Sequence, residues 1–216
     1  EYLGAHVIDG GVAFRVFAPA AKAISVIGEF NQWQDTPMQK IYDGNFWECV
    51  IPAAKAGQMY KYRIYDQNGG CLDRCDPYGR RMELRPHSAS IICGGGKQKF
   101  TDEKWLKTRD GGLDKPLNIY EIHAGSWRCK PDEEDQRDVA EHWYNYRELA
   151  DLLVPYLKTN HYHYVEMMPL AEHPSDESWG YQISGFFSPT SRYGTPDDLK
   201  YLVNKCHNAG IGVIMD

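Results

Sequence analysis

The 216-residue chain contains no stretch of about 18 consecutive apolar residues, so it offers no candidate for a membrane-spanning helix. Long runs of basic side chains are also missing, and the formal charge is -6, which argues against nucleic acid as a partner. No G-x-G-x-x-G follows any strand-like segment, which disfavours a dinucleotide site. Cysteine is thinly spread: Cys49, Cys71, Cys75, Cys93, Cys129 and Cys206 are scattered through a chain too long to need a disulfide framework. Cys71 and Cys75 form a C-x3-C with no second pair to complete a zinc site. His161 and His163 open an apolar run and are expected on one face of a strand, as a packed or exposed pair. The cysteines therefore read as reduced thiols of a cytoplasmic protein, and no metal or cofactor is expected.

What the chain does have is aromatic surface, with 15 Tyr, 7 Phe and 6 Trp. Such residues dominate ordinary cores, and their flat apolar faces with polar edges also suit sugar rings. Residues 1 to about 100 carry a two-residue period. Val12, Phe14 and Val16 alternate with Ala13 and Arg15; Trp47, Cys49 and Ile51 follow the turn at Asp43-Gly44-Asn45. Tyr60, Tyr62 and Ile64 precede the turn at Asn68-Gly69-Gly70. Short strands separated by turn signals predict an all-β, immunoglobulin-like sandwich over residues 1–105. A polar, Gly-rich stretch from Gly94 to Pro116 serves as linker, with its core at 106–116 and a short helix over Asp102–Thr108.

From residue 117 the grammar changes. Ile119–His123 reads as a strand, and Asn145 with Glu148 forms a capping box ahead of a helix carrying Leu149, Leu153 and Leu157. Pro155 is expected to kink that helix or loosen one turn. Tyr162–Met168 is a second strand. Thr195-Pro196-Asp197-Asp198 starts a second helix, Gly210 ends it, and Ile211–Met215 is a third strand. The order β-α-β-α-β predicts a parallel sheet with right-handed crossovers, the opening of either a doubly wound sheet or a (β/α)8 barrel.

In both folds function collects beyond the carboxyl ends of the strands. Three segments lie there: His123–Trp127, the long loop Pro169–Arg192, and Asp216. Structureless loops beyond about 12–15 residues are usually functional or disordered, and the aromatic content of this one favours function. The acidic pair Asp132 and Glu133 reads as part of a solvated loop.

Several of these segments, taken together, resemble the branching enzymes of the α-amylase superfamily. They are His123-Ala124-Gly125-Ser126-Trp127, Glu172-His173-Pro174, Ser178-Trp179-Gly180-Tyr181-Gln182, Ser188–Pro196, Cys206–Asp216, Asp76-Pro77-Tyr78 and Glu83–Pro86. The resemblance spans essentially the whole chain and keeps order and spacing. It implies a sandwich module followed by residues 117–216 as the first three strands of a (β/α)8 barrel, in a fragment truncated after the third strand. The implied activity of the intact protein is transfer of α-1,4-glucan chains to form α-1,6 branches, by a retaining mechanism with two carboxylates. Those carboxylates are implied to lie beyond Asp216, leaving this chain alone inactive. Tyr181 matches the tyrosine that packs on the donor sugar, and Asp216 matches an aspartate that holds active-site geometry. Trp127, Glu172, His173 and Trp179 are expected to shape cleft walls or buttress loops. Gly28–Trp33 resembles the signature of glycogen-binding sandwiches, with Trp33 and Lys61 as peripheral glucan contacts. Leu72-Asp73-Arg74 lacks the second Trp of tight binders, so packing against the barrel stays open as that module's main role. The implied partner is an α-glucan such as glycogen or amylose. A debranching hydrolase of the same superfamily and a non-catalytic glucan-binding module stand as alternatives.

Overall fold

The computed structural model describes residues 2–109, 114–131 and 142–216. Strands β1 (Gly4–Ile8), β2 (Gly11–Phe17), β3 (Ala23–Gly28), β4 (Thr36–Pro37), β5 (Gln39–Ile41), β6 (Phe46–Ile51), β7 (Met59–Tyr65), β8 (Cys71–Arg74) and β9 (Ser90–Ile91) come first. Then follow α1 (Glu103–Thr108), β10 (Ile119–Ile122), α2 (Tyr146–Thr159), β11 (Tyr164–Met167), β12 (Ala171–Glu172), β13 (Gly185–Pro189), α3 (Pro196–Asn208) and β14 (Gly212–Met215). The chain divides into two compact units. One holds residues 1–95, 171–174 and 183–191; the other holds 96–170, 175–182 and 192–216.

In the first unit, two antiparallel sheets with orders β1-β2-β6-β5 and β4-β3-β7-β8 enclose one core. The predicted alternation explains it. Val12, Phe14, Val16 and Trp47 from one sheet and Ile24, Val26, Tyr60 and Tyr62 from the other share a single buried cluster. Burying side chains of this size stabilises the fold by about 1.5–3 kcal/mol each. At the centre, the fully buried Asp76 accepts hydrogen bonds from the hydroxyls of Tyr60 (2.6 Å) and Tyr62 (3.3 Å) and from the Tyr78 amide (2.8 Å). β12 and β13 add an antiparallel pair to this unit.

Three non-glycine residues of the sandwich, Gln32, Trp33 and Tyr42, hold left-handed backbone. Tyr42, after β5, has φ 54° although its ring is 77% exposed. A left-handed conformation is costly for a residue with a Cβ and free of that cost for glycine. Tyr42→Gly is therefore expected to raise stability by about 0.5–1 kcal/mol in urea unfolding. A decrease would mean that the ring's contacts outweigh the strain.

In the second unit, β10, β11 and β14 form a parallel sheet, with Glu121 opposite Glu166 and Glu166 opposite Ile214. Ile122, Val165 and Met167 are buried on one face, with Leu149, Ala150, Leu153 and Leu157 of α2 buried in the same unit. Both helix caps form as the sequence predicts, and the one at Thr195 is in addition closed into a box by Asp198. Asn145 accepts from the Arg147 and Glu148 amides, and Thr195 accepts from the Asp198 amide. α2 is one helix through Pro155, whose missing N–H leaves the Asp151 carbonyl without its helical donor. Part of the Gly-rich stretch is pinned along α3. Asp197 accepts from the Lys97 amide (2.7 Å), Asn204 accepts from the Thr101 amide (2.8 Å), and His207 Nδ1 meets Asp102 at 2.7 Å.

Two expectations need correction. His161 and His163 do not lie on a strand: β11 begins at Tyr164, and His161 sits in a left-handed turn closing α2 (φ 57°). The His163 ring instead accepts the Asn118 amide at 3.0 Å. The long loop from Pro169 is not structureless either, because β12 and β13 pair within it and short 3-10 turns cover Asp176–Ser178 and Ser191–Tyr193. Asp132 and Glu133 lie outside the described residues, as do 110–113 of the linker.

Candidate active-site face

Asp216 directly follows β14, and its amide donates to the Met167 carbonyl at the end of β11 (3.1 Å). Tyr181 reaches the same point from a loop 35 residues earlier. Its hydroxyl donates to Asp216 Oδ2 at 2.5 Å. The structure thus brings together, at the carboxyl end of the parallel strands, Tyr181, which the resemblance puts on the donor sugar, and Asp216, which it makes a holder of active-site geometry.

The loop geometry follows from its sequence. Ser178 Oγ donates to the Ser175 carbonyl (2.7 Å) and accepts from the Gly180 amide (3.3 Å), and the Tyr181 amide donates to the Ser178 carbonyl (3.0 Å). Trp179 (φ 55°) and Gly180 (φ 95°) are consecutive left-handed residues. Glycine is required at 180, because a Cβ there would stand 2.4 Å from the Pro169 carbonyl oxygen. The turn leaves the rings of Trp179 and Tyr181 mostly exposed.

Asp216 is the main influence on the Tyr181 hydroxyl, raising its pKa through the hydrogen bond; burial and the charges of Asp216, Glu121 and Glu166 push the same way. The hydroxyl therefore stays protonated at neutral pH and serves as donor, with its ring face left open. Glu121 and Glu166 escaped sequence reasoning. Their shared face follows from period-2 alternation combined with a parallel register that no local signal specifies.

The remaining candidates separate. Trp127 donates its indole N–H to the Tyr120 hydroxyl (3.2 Å), lies edge-on to Tyr156 of α2 (5.6 Å), and has Arg128 stacked 4.5 Å from its ring centre. It anchors α2 to the sheet. Glu172 and His173 belong to the sandwich unit and are both 3% exposed. The Glu172 carboxylate accepts from Thr190 Oγ1 (3.0 Å) and the Ser191 amide (2.7 Å), and His173 Nδ1 meets the Ala171 carbonyl at 2.8 Å. These contacts buttress the β12–β13 pair.

Trp33 stands on the turn after β3, left-handed (φ 59°) and 38% exposed. Lys61 lies on the neighbouring strand β7, opposite Ile27. The two share one end of one sheet. At Leu72-Asp73-Arg74, where the resemblance leads to the expectation of a second Trp, Asp73 forms a two-pronged ion pair with Arg63 (2.8 and 3.0 Å). Among the described residues no cluster of His, Cys, Asp or Glu could hold a metal ion, and no helix is long and apolar enough to cross a membrane.

Comparison with known proteins gives two family matches and a set of relatives. Residues 2–79 match the family model of carbohydrate-binding module 48 (isoamylase N-terminal domain), and residues 151–216 match that of the alpha amylase catalytic domain. A 1,4-alpha-glucan branching enzyme GlgB from Fusobacterium nucleatum is 44% identical over 100% of this chain and 34% of its own length. Its counterpart from Bacillus caldolyticus is 45% identical over 100% of this chain and 32% of its own. The chain thus spans about a third of the length of these relatives. A pullulanase from Paenibacillus barengoltzii, solved with maltotriose, superposes with a TM-score of 0.75 at 20% identity, covering 100% of this chain and 38% of that one, a likeness of fold alone. With two module matches in order and branching enzymes aligned along every part of it, the chain is similar over its whole length to 1,4-α-glucan branching enzymes.

Proposed function

We propose that the protein to which these residues belong moves α-1,4-linked glucan chains onto a C6 hydroxyl of an acceptor glucan, forming α-1,6 branches. The observation that carries this reading is the Tyr181–Asp216 hydrogen bond at the strand ends, with the Tyr181 ring face open, in a chain aligned throughout with branching enzymes. In the proposed reaction the Tyr181 ring covers the apolar face of the donor sugar, and Asp216 fixes the ring's height and tilt through the hydroxyl. The chemistry is a retaining double displacement. A carboxylate attacks the anomeric carbon while a carboxylic acid protonates the leaving oxygen, and the acceptor hydroxyl then displaces the enzyme. Both carboxyl groups are placed outside residues 1–216, in later strands of a (β/α)8 barrel whose first three strands are β10, β11 and β14. The chain alone is accordingly expected to be inactive, and the reaction needs no cofactor.

In this reading residues 1–105 form the glucan-associated sandwich, 106–116 the linker and 117–216 the first part of the catalytic domain, in a cytoplasmic protein acting on glycogen. Trp33 and Lys61 supply a peripheral glucan contact. The test is an amylose reaction with the whole protein. Iodine colour should fade, and digestion of the product with an α-1,6-specific debranching enzyme should restore it. Fading that debranching cannot reverse would overturn the proposal.

A further inference from the structure

Strand alternation sends Phe17 of β2 and Phe46 of β6, which are register partners, to the side of the β1-β2-β6-β5 sheet away from the core, with their ring centres 5.2 Å apart. Tyr42 stands edge-on to Phe46 at 6.0 Å, and its hydroxyl pairs with that of Tyr2 at 3.1 Å. The Arg15 guanidinium lies 4.7 Å from the centre of the Tyr2 ring while paired with Glu48 across the strands. An aromatic cluster is thereby built on a solvent face, where Tyr42 is 77%, Phe17 47% and Tyr2 38% exposed. Tyr2 and Phe46 also line a groove of about 640 Å³ shared with His6, Tyr78, Arg80 and Phe187 of the same unit. The left-handed backbone of Tyr42 holds its ring outward at an energetic cost that core packing does not require.

We propose that this face is a second α-glucan contact, separate from the sheet that carries Trp33 and Lys61. The inference rests on the glucan reading of the whole protein and adds a site to it. Exposed clustered aromatics mark binding surfaces, and three features select an uncharged sugar chain as the ligand. Flat ring faces match the C–H faces of pyranose rings. The Tyr2–Tyr42 hydroxyl pair and the Arg15–Glu48 pair place hydrogen-bonding groups beside those rings, where a sugar presents its hydroxyls. Arg15 and Glu48 are paired with each other, so among the aromatic rings neither charge stands alone to recruit a charged partner. The sandwich bearing it matches a carbohydrate-binding module across residues 2–79.

The test uses the full chain and maltoheptaose. Tyr42 is exposed enough for nitration with tetranitromethane, read peptide by peptide in a mass spectrometer. Maltoheptaose should slow Tyr42 nitration at least fivefold, and the protection should survive Trp33→Ala. Tyr42→Ala, at a surface position that leaves the core intact, should weaken maltoheptaose binding at least fivefold by calorimetry. Unchanged nitration at saturating sugar would overturn the proposal. So would protection that grows with protein concentration and ignores sugar, since the occupant would then be a second copy of the chain. If Tyr42 stays unprotected while the whole protein still makes branches, this inference fails and the proposed function stands. If sugar protects Tyr42 while the whole protein makes no branches, the contact stands and the proposed function fails.

Discussion

Replacing Asp76 by alanine should cost the sandwich about 3–5 kcal/mol, enough to unfold a marginal domain. The carboxylate is fully buried, and its removal strands the Tyr60 and Tyr62 hydroxyls, each 1% exposed, without their acceptor. Asp76→Asn keeps one acceptor oxygen and should cost far less. Their pH dependence separates the two roles of the charge. Burial is the leading influence on Asp76 and raises its pKa, against the lowering effect of hydrogen bonds from Tyr60, the Tyr78 amide and Tyr62. The folded state therefore holds this proton more tightly than the unfolded chain does. Its contribution to stability is full below the unfolded value of about 3.9 and is lost as pH rises through the higher folded value. In urea unfolding, the stability of the unsubstituted chain relative to Asp76→Asn should fall as pH rises above about 4. A flat difference would show that the carboxylate is solvated.

Tyr181→Ala should reduce branching by the whole protein by about 100-fold or more, because it removes the surface that positions the donor sugar. Tyr181→Phe keeps the ring and loses only the bond to Asp216, so a loss of about 10-fold is expected, with most of it in kcat. The side chain is 54% exposed, and neither change should move the melting temperature appreciably. Equal losses in the two variants would assign the function to the hydroxyl rather than to the ring. A large drop in melting temperature would mark Tyr181 as a structural residue of its loop.

The fold is legible wherever local rules agree with tertiary packing. Val12, Phe14 and Val16 alternate in sequence and are all buried, and the Asn145 and Thr195 caps start α2 and α3 as predicted. Legibility fails where a contact joins distant positions. Nothing local pairs Tyr60 and Tyr62 with Asp76, and nothing marks Tyr42, which lacks the Gly or Asn that usually signals a left-handed turn. The β12–β13 pair escapes a reading by period because two-residue Ala171–Glu172 is too short to show one. The union of Tyr181 with Asp216 is foreseeable only through the family resemblance, since spacing alone does not bring a loop tyrosine to a strand end.

The most direct test is to count bonds and chain ends together in amylose treated with the whole protein, using proton NMR for α-1,6 linkages and a copper assay for reducing ends. A glucan transferase breaks one α-1,4 bond for each α-1,6 bond it makes and leaves the number of reducing ends unchanged. The account predicts rising α-1,6 signal at constant reducing ends, strongly diminished in Tyr181→Ala. Rising reducing ends without new α-1,6 linkages would identify a hydrolase and contradict it.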